Sequence, residues 1–268
     1  MTPLNNNDAP VLTTQQDSVA TVTINRPQRR NALNHTVKTA LRDELDRLAG
    51  DRTVRAVVLT GAGGHFCAGQ DLAEHATVLT DRPAHAFDTV EEHYSPIVLA
   101  LAQMPKPVIA AIEGVCVGAG LGFALACDLR VVAHNANLST AFSSIGLTCD
   151  SGLAHSLPRV LGEARAKELI LLAEPFTGEQ ADRMGLVSRL VEPGNAVEEA
   201  NALAGRLAAG PTRAYAETKR LLATSYPRTL EETLTEEAAA QARAGASKDH
   251  NAAVTAFLSK QKPTFTGG

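Results

Sequence analysis

The stretch K-P-V-I-A-A-I-E-G-V-C-V-G-A-G-L-G-F-A-L-A-C-D-L-R-V-V-A, residues 106–133, decides the fold. Within it Val108–Ile112 is a continuous apolar run preceded by proline, the pattern of a short strand covered on both faces. A glycine-rich turn follows, then a small-residue helix over Gly118–Cys127 and another strand at Leu129–Ala133. Strands introduced by helices imply right-handed crossovers and a parallel sheet, so the fold class read from this segment is α/β.

The same unit recurs upstream. Val19–Ile24 alternates and reads as a strand that Pro27 ends, because proline cannot donate to a ladder. Asn34 is placed to cap a helix whose apolar residues Val37, Leu41, Leu45 and Leu48 recur at helical spacing, with Gly50 closing it. Val54–Thr60 is the next strand; a polar insertion, Asp71–His93, then separates it from a helix through Ile97–Met104. From Glu163 onward helical patterns dominate (164–173, 196–209, 212–223, 230–244 and 248–258), and only Leu186–Val191 reads as a strand. The expected organisation is a flexible N-terminal arm at 1–17, an α/β core at 18–194 and a C-terminal helical region at 195–268.

Composition narrows the function. No apolar run approaches the eighteen or more residues that a membrane-spanning helix needs, and the first sixteen residues are polar, unlike a secretory signal. Cys67, Cys116, Cys127 and Cys149 are widely spaced and make no C-x-x-C pair, as expected of buried, reduced thiols in a cytoplasmic protein. The eight histidines form no ligand cluster, so no metal is expected, and a net charge of −4 without a basic stripe points away from nucleic acid.

Two loops follow strands and carry small residues, which let a backbone approach a ligand with its N–H groups unshielded: Gly61–Asp71 and Glu113–Gly122. The second is no dinucleotide fingerprint, because Phe123 stands where the third glycine belongs, and neither loop has the Gly-Lys-Ser/Thr of a P-loop. From the glycines alone, close helix–sheet packing explains them equally well.

Four ordered blocks go further: N-R-P-Q-R-R-N-A-L-N (25–34), H-F-C-A-G-Q-D-L (65–72), residues 106–133, and A-F-S-S-I-G-L-T-C-D-S-G (141–152). They resemble the signature blocks of the crotonase (enoyl-CoA hydratase/isomerase) superfamily, and the resemblance runs from about Ser18 to Phe265. It implies a spiral of ββα units followed by helices that build a homotrimer, often paired into a hexamer. It also implies an acyl-CoA substrate whose thioester enolate is held by two backbone N–H groups, expected here at Ala68 and Ala119. Coenzyme A enters as part of the substrate, with no permanently bound cofactor.

The first loop block would supply Gly69, Gln70, Asp71 and Leu72 to the binding surface, Asp71 chiefly as a brace. By the same resemblance Arg29, Arg30 and Ala32 border the CoA, and Phe257 and Lys260 reach the CoA of a neighbouring subunit. The two glutamates that serve hydratases of the family fall at Gly122 and Phe142, so both carboxylates are missing. Asp150 matches an acidic position of the isomerase branches, including relatives that isomerise ring-epoxidised phenylacetyl-CoA. It is the expected base of a 1,3-proton shift, its pKa raised by apolar neighbours such as Leu121 and Phe142; capping a helix that starts near Gly152 is its other reading. Two alternatives stay open: a hydratase recruiting a second acid/base group elsewhere, and an acyl-CoA-binding subunit without catalysis.

Overall fold

The computed structural model describes residues 9–268, and the strands are β1 (Val11–Gln16), β2 (Val19–Ile24), β3 (Ala56–Gly61), β4 (Val108–Ile112), β5 (Val115–Val117), β6 (Leu129–Ala133), β7 (Asn137–Ser139), β8 (Phe176–Thr177) and β9 (Arg189–Val191). The helices are α1 (His35–Gly50), α2 (Leu72–Asp81), α3 (Ser95–Gln103), α4 (Ala119–Ala126), α5 (Leu153–Leu161), α6 (Glu163–Leu172), α7 (Gly178–Met184), α8 (Ala196–Ala208), α9 (Thr212–Ser225), α10 (Leu230–Gly245) and α11 (Lys248–Leu258). Six strands form the main sheet in the order β1-β2-β3-β4-β6-β9, antiparallel only between β1 and β2, and a second sheet is ordered β5-β7-β8.

Alternation along the central strands explains why β3 and β4 are so largely apolar. In β3, Val57 and Leu59 join the larger core with Leu41, Leu45 and Leu101, while Ala56 and Val58 face Ala200, Leu203 and Ala204 of α8. Both faces are therefore dry. Helix α1 begins as the sequence predicts, with the Asn34 side chain accepting from the Val37 N–H at 3.0 Å.

Two expected boundaries are corrected. Residues 1–8 of the supposed arm lie outside the described residues, but Val11–Gln16 pair with β2 in full register from Val11↔Ile24 to Gln16↔Val19. This strand was missed because it is an edge strand whose outer half is polar and exposed. The helical region also does not begin as a separate unit at residue 195, since α8 is the cover of the sheet's second face. Beyond it, Lys219 on α9 pairs with Asp128 at 2.7 Å, and Arg55 donates to the Phe265 carbonyl at 2.9 Å. No helix among the described residues is long and apolar enough to cross a membrane.

Candidate active site

The loop that leaves β3 is fastened on two sides. The amides of Phe66 and Cys67 donate to the carbonyls of Glu113 and Val115, both at 2.9 Å, so the loop lies along β5. On its other side the Ala68 N–H donates to Arg30 O at 3.0 Å, the Leu33 N–H to Gly69 O at 2.8 Å, and the Asp71 N–H to Leu33 O at 3.2 Å. Buried Asn31 locks the two segments together: its amide nitrogen donates to Ala62 O and His65 O, and its side-chain oxygen accepts from the Arg26 N–H.

This ladder decides which N–H groups are available. In a regular strand the amides of residues 68 and 70 would point the same way, but Gly69 has φ +80° and breaks that alternation. Residues 68 and 71 therefore bond to the 30–33 segment, while the Gln70 N–H faces away and has no acceptor among the described residues. The Ala119 N–H, first in α4, has none either. The two neighbourhoods touch: a Cβ built on Gly69 would lie 3.6 Å from the Ala119 nitrogen and 2.9 Å from Val117 O. Gly118, with φ +58°, turns the chain into α4, whose N-terminal partial charge favours an anion at the same place. The expectation for Ala68 is thus corrected, because its amide is already taken by Arg30, and Gln70 supplies the free donor beside Ala119.

Gln70, Ala119 and Asp150 line one cavity of about 290 Å³, together with Leu72, Phe87, Val90, Phe142 and Ile145. Asp150 is half-buried; that burial raises its pKa, against the lowering effect of a 2.7 Å hydrogen bond from the Ser151 hydroxyl. Its carboxylate does not cap α5: the cap position is Gly152, no side chain caps the helix, and only the Asp150 carbonyl accepts from the Leu153 N–H. The two positions at which the resemblance would put hydratase glutamates hold no carboxylate. Phe142 lies on the cavity wall, and a Cβ on Gly122 would stand 2.4 Å from Ser151 O and 2.5 Å from Ser151 Cβ.

The remaining predicted residues are spread more widely. Asp71 caps α2 by accepting from the amides of Ala73 and Glu74, and it pairs with Arg26 at 2.5 Å. Burial opposes ionisation of Asp71, but the Arg26 guanidinium and those amides outweigh it and hold its pKa below the usual value. Arg29 and Arg30 are exposed at the turn before Ala32, whose carbonyl accepts from Arg26. Phe257 is 81% exposed on α11, and neither it nor Lys260 lines the cavity. Glu113 is tied up structurally, its carboxylate accepting from the amides of Gly194 and Ala196 at the start of α8. Sequence reasoning missed Tyr94, Thr89, His75 and Phe87 on the wall, all within or beside the polar insertion, where no periodicity marks an inward face.

Residues 14–268 match the sequence profile of the enoyl-CoA hydratase/isomerase family, so the chain belongs to that family and has the crotonase fold. Among relatives, it is 39% identical over 257 residues to the 1,2-epoxyphenylacetyl-CoA isomerase of Escherichia coli K12, covering 96% of this chain and 98% of that protein. It is 38% identical over 251 residues to a probable enoyl-CoA hydratase of Rhodobacter capsulatus, covering 94% and 95%. A crystal structure from Mycobacterium abscessus, described under the name enoyl-CoA hydratase/isomerase, superposes with a TM-score of 0.92 at 48% identity and covers 96% of this chain and all of that one.

Proposed function

We propose that the chain is an acyl-CoA isomerase, with the Gln70 and Ala119 amides binding the thioester oxygen and Asp150 moving the proton. The observation that carries this reading is the pairing, in one cavity, of two N–H groups without acceptors among the described residues and one half-buried carboxylate of raised pKa. With a 3-enoyl-CoA, an Asp150 oxygen takes a proton from C2 and the electron pair moves onto the thioester oxygen, giving an enolate. The two amides stabilise that oxygen, an effect whose loss at one donor costs roughly 10²–10³ in kcat in enzymes of known mechanism. The same proton then returns at C4 and the double bond moves to C2–C3, so a single acid/base group is sufficient.

Hydration would need a second such group to deliver water, and the two positions where the family carries glutamates hold Gly122 and Phe142. The relative named as an epoxyphenylacetyl-CoA isomerase makes a ring-epoxidised acyl-CoA the second substrate to assay. Arg29, Arg30 and Ala32 are proposed to border the CoA outside the cavity. The exposed Leu222, Tyr226, Leu230, Leu234, Phe257 and Leu258 support a trimer built through α9–α11, in which Phe257 and Lys260 reach a neighbour's ligand. The test is turnover of 3-enoyl-CoA and 2-enoyl-CoA by the wild type and by Asp150→Asn. Isomerisation that disappears in the variant supports the assignment, whereas isomerisation at the wild-type rate, or water addition to 2-enoyl-CoA as the main activity, rejects it.

A further inference from the structure

Tyr94 takes no part in the proton transfer just described, yet its position is set from several directions. It is 2% exposed, its ring meets Phe123 edge-on at 6.1 Å, and the Lys38 ammonium lies 5.6 Å from the ring centre. Lys38 is itself held by Thr89 Oγ1 at 2.8 Å and by Glu74 at 3.6 Å. The backbone presenting Tyr94 is a single π-helical turn, Val90–Tyr94, running directly into α3. Pro96 offers no N–H to Glu92 O, which accepts from Arg42 instead, and the Ser95 N–H reaches back five residues to Val90 O. Such turns concentrate at functional sites.

The Tyr94 hydroxyl points at the loop that carries the free amide and donates to Gln70 Oε1. Among the described residues this is the only partner of the Gln70 side chain. It matters because the peptide in question follows Gly69, whose lack of a Cβ leaves its orientation to neighbours: the Leu33 N–H holds its carbonyl at 2.8 Å, and Tyr94 holds the Gln70 side chain on the other side. Burial, together with the charges of Asp150, Cys67 and Glu74, pushes the Tyr94 pKa above the usual phenol value, so the group remains a hydrogen-bond donor.

We infer that Tyr94 is a positioning residue, whose hydroxyl, acting through the Gln70 side chain, holds the Gly69–Gln70 peptide so that the Gln70 N–H meets the substrate oxygen beside the Ala119 N–H. The inference rests on the reading of Gln70 and Ala119 as the oxygen-binding pair. Tyr94→Phe keeps the ring between Phe123 and Lys38 and removes only the anchor; an error in donor placement of well under 1 Å should lower kcat on the order of tenfold, with KM little changed.

The spectroscopic test binds phenylacetyl-CoA labelled with ¹³C at the thioester carbonyl, which cannot undergo the isomerisation, and records its carbonyl stretch. In the wild type the band moves to lower frequency on binding, and in Tyr94→Phe it moves less. A wild-type shift retained in full by Tyr94→Phe, with kcat unchanged, overturns the role of Tyr94 and leaves the oxygen-binding pair intact. A wild type showing no shift removes the pair itself, and the inference with it. A double-mutant cycle with Gln70→Leu separates positioning from direct contact: the double variant is no slower than the slower single if Tyr94 acts through Gln70, and additive losses refute that route. Should Tyr94→Phe fail to fold, Gln70→Leu alone carries the spectroscopic test, with a reduced band shift expected and a full one contradicting the inference.

Discussion

Replacing Gly122 with alanine tests how closely the catalytic turn is packed against α4. The new Cβ would sit 2.4 Å from Ser151 O, where ordinary contact begins at 3.4 Å, so about 1 Å of movement is required. The atom it meets is backbone, and Ser151 (φ +51°) and Gly152 (φ +79°) already occupy the left-handed region, so the 150–152 turn has few other conformations to adopt. Most of the movement therefore reaches Asp150. A displacement of about 1 Å at a group that must meet both C2 and C4 costs roughly 100-fold in kcat, and forcing a methyl into a filled site costs about 1–3 kcal/mol. Steady-state isomerisation of a 3-enoyl-CoA reads the first effect and a thermal melt the second. Gly122→Ala with kcat within threefold of wild type and an unchanged melting temperature would refute the argument. The same clash predicts that Gly122→Glu does not install a hydratase.

Asp150 is raised by burial, so the acidic limb of the kcat/KM profile should lie above the ordinary carboxylate range; a limb at or below that range would contradict its role as base. A carboxyl with a folded-state pKa above its unfolded one binds more protons when folded, so its contribution to stability falls as pH rises through that window. Asp150→Asn should therefore melt at a higher temperature than wild type at pH 7.5 while losing activity, and the difference should vanish at pH 3. Asp71→Ala removes both the α2 cap and the partner of Arg26, costing about 1–2 kcal/mol by chemical denaturation; an unchanged midpoint would show that neither contact matters.

Much of the fold is visible in the sequence because burial on both faces makes β4 and the first four residues of β3 uninterrupted apolar runs, and Asn34 writes the start of α1. Strand β1 and helix α2 were hidden for the opposite reason. Each exposes at least half its side chains, so local polarity resembles that of a loop, although Asp71 followed by Leu-Ala-Glu was a readable cap. At the proposed site, the blocks point to Asp150 and Ala119, which line the cavity, but they do not decide between Ala68 and Gln70. That choice depends on the carbonyl of Arg30, far away in sequence, and on the φ of Gly69, neither of which leaves a local pattern. Tyr94 was invisible because its role comes from a π-turn and a partner in another loop.

The most direct measurement is a crystal structure with an unreactive acyl-CoA in the cavity. The thioester oxygen should lie about 2.7–3.1 Å from both the Gln70 and Ala119 nitrogens, with the Asp150 carboxylate over the C2–C4 edge of the acyl group. A thioester oxygen bound to neither amide, or an acyl group directed away from Asp150, would contradict it.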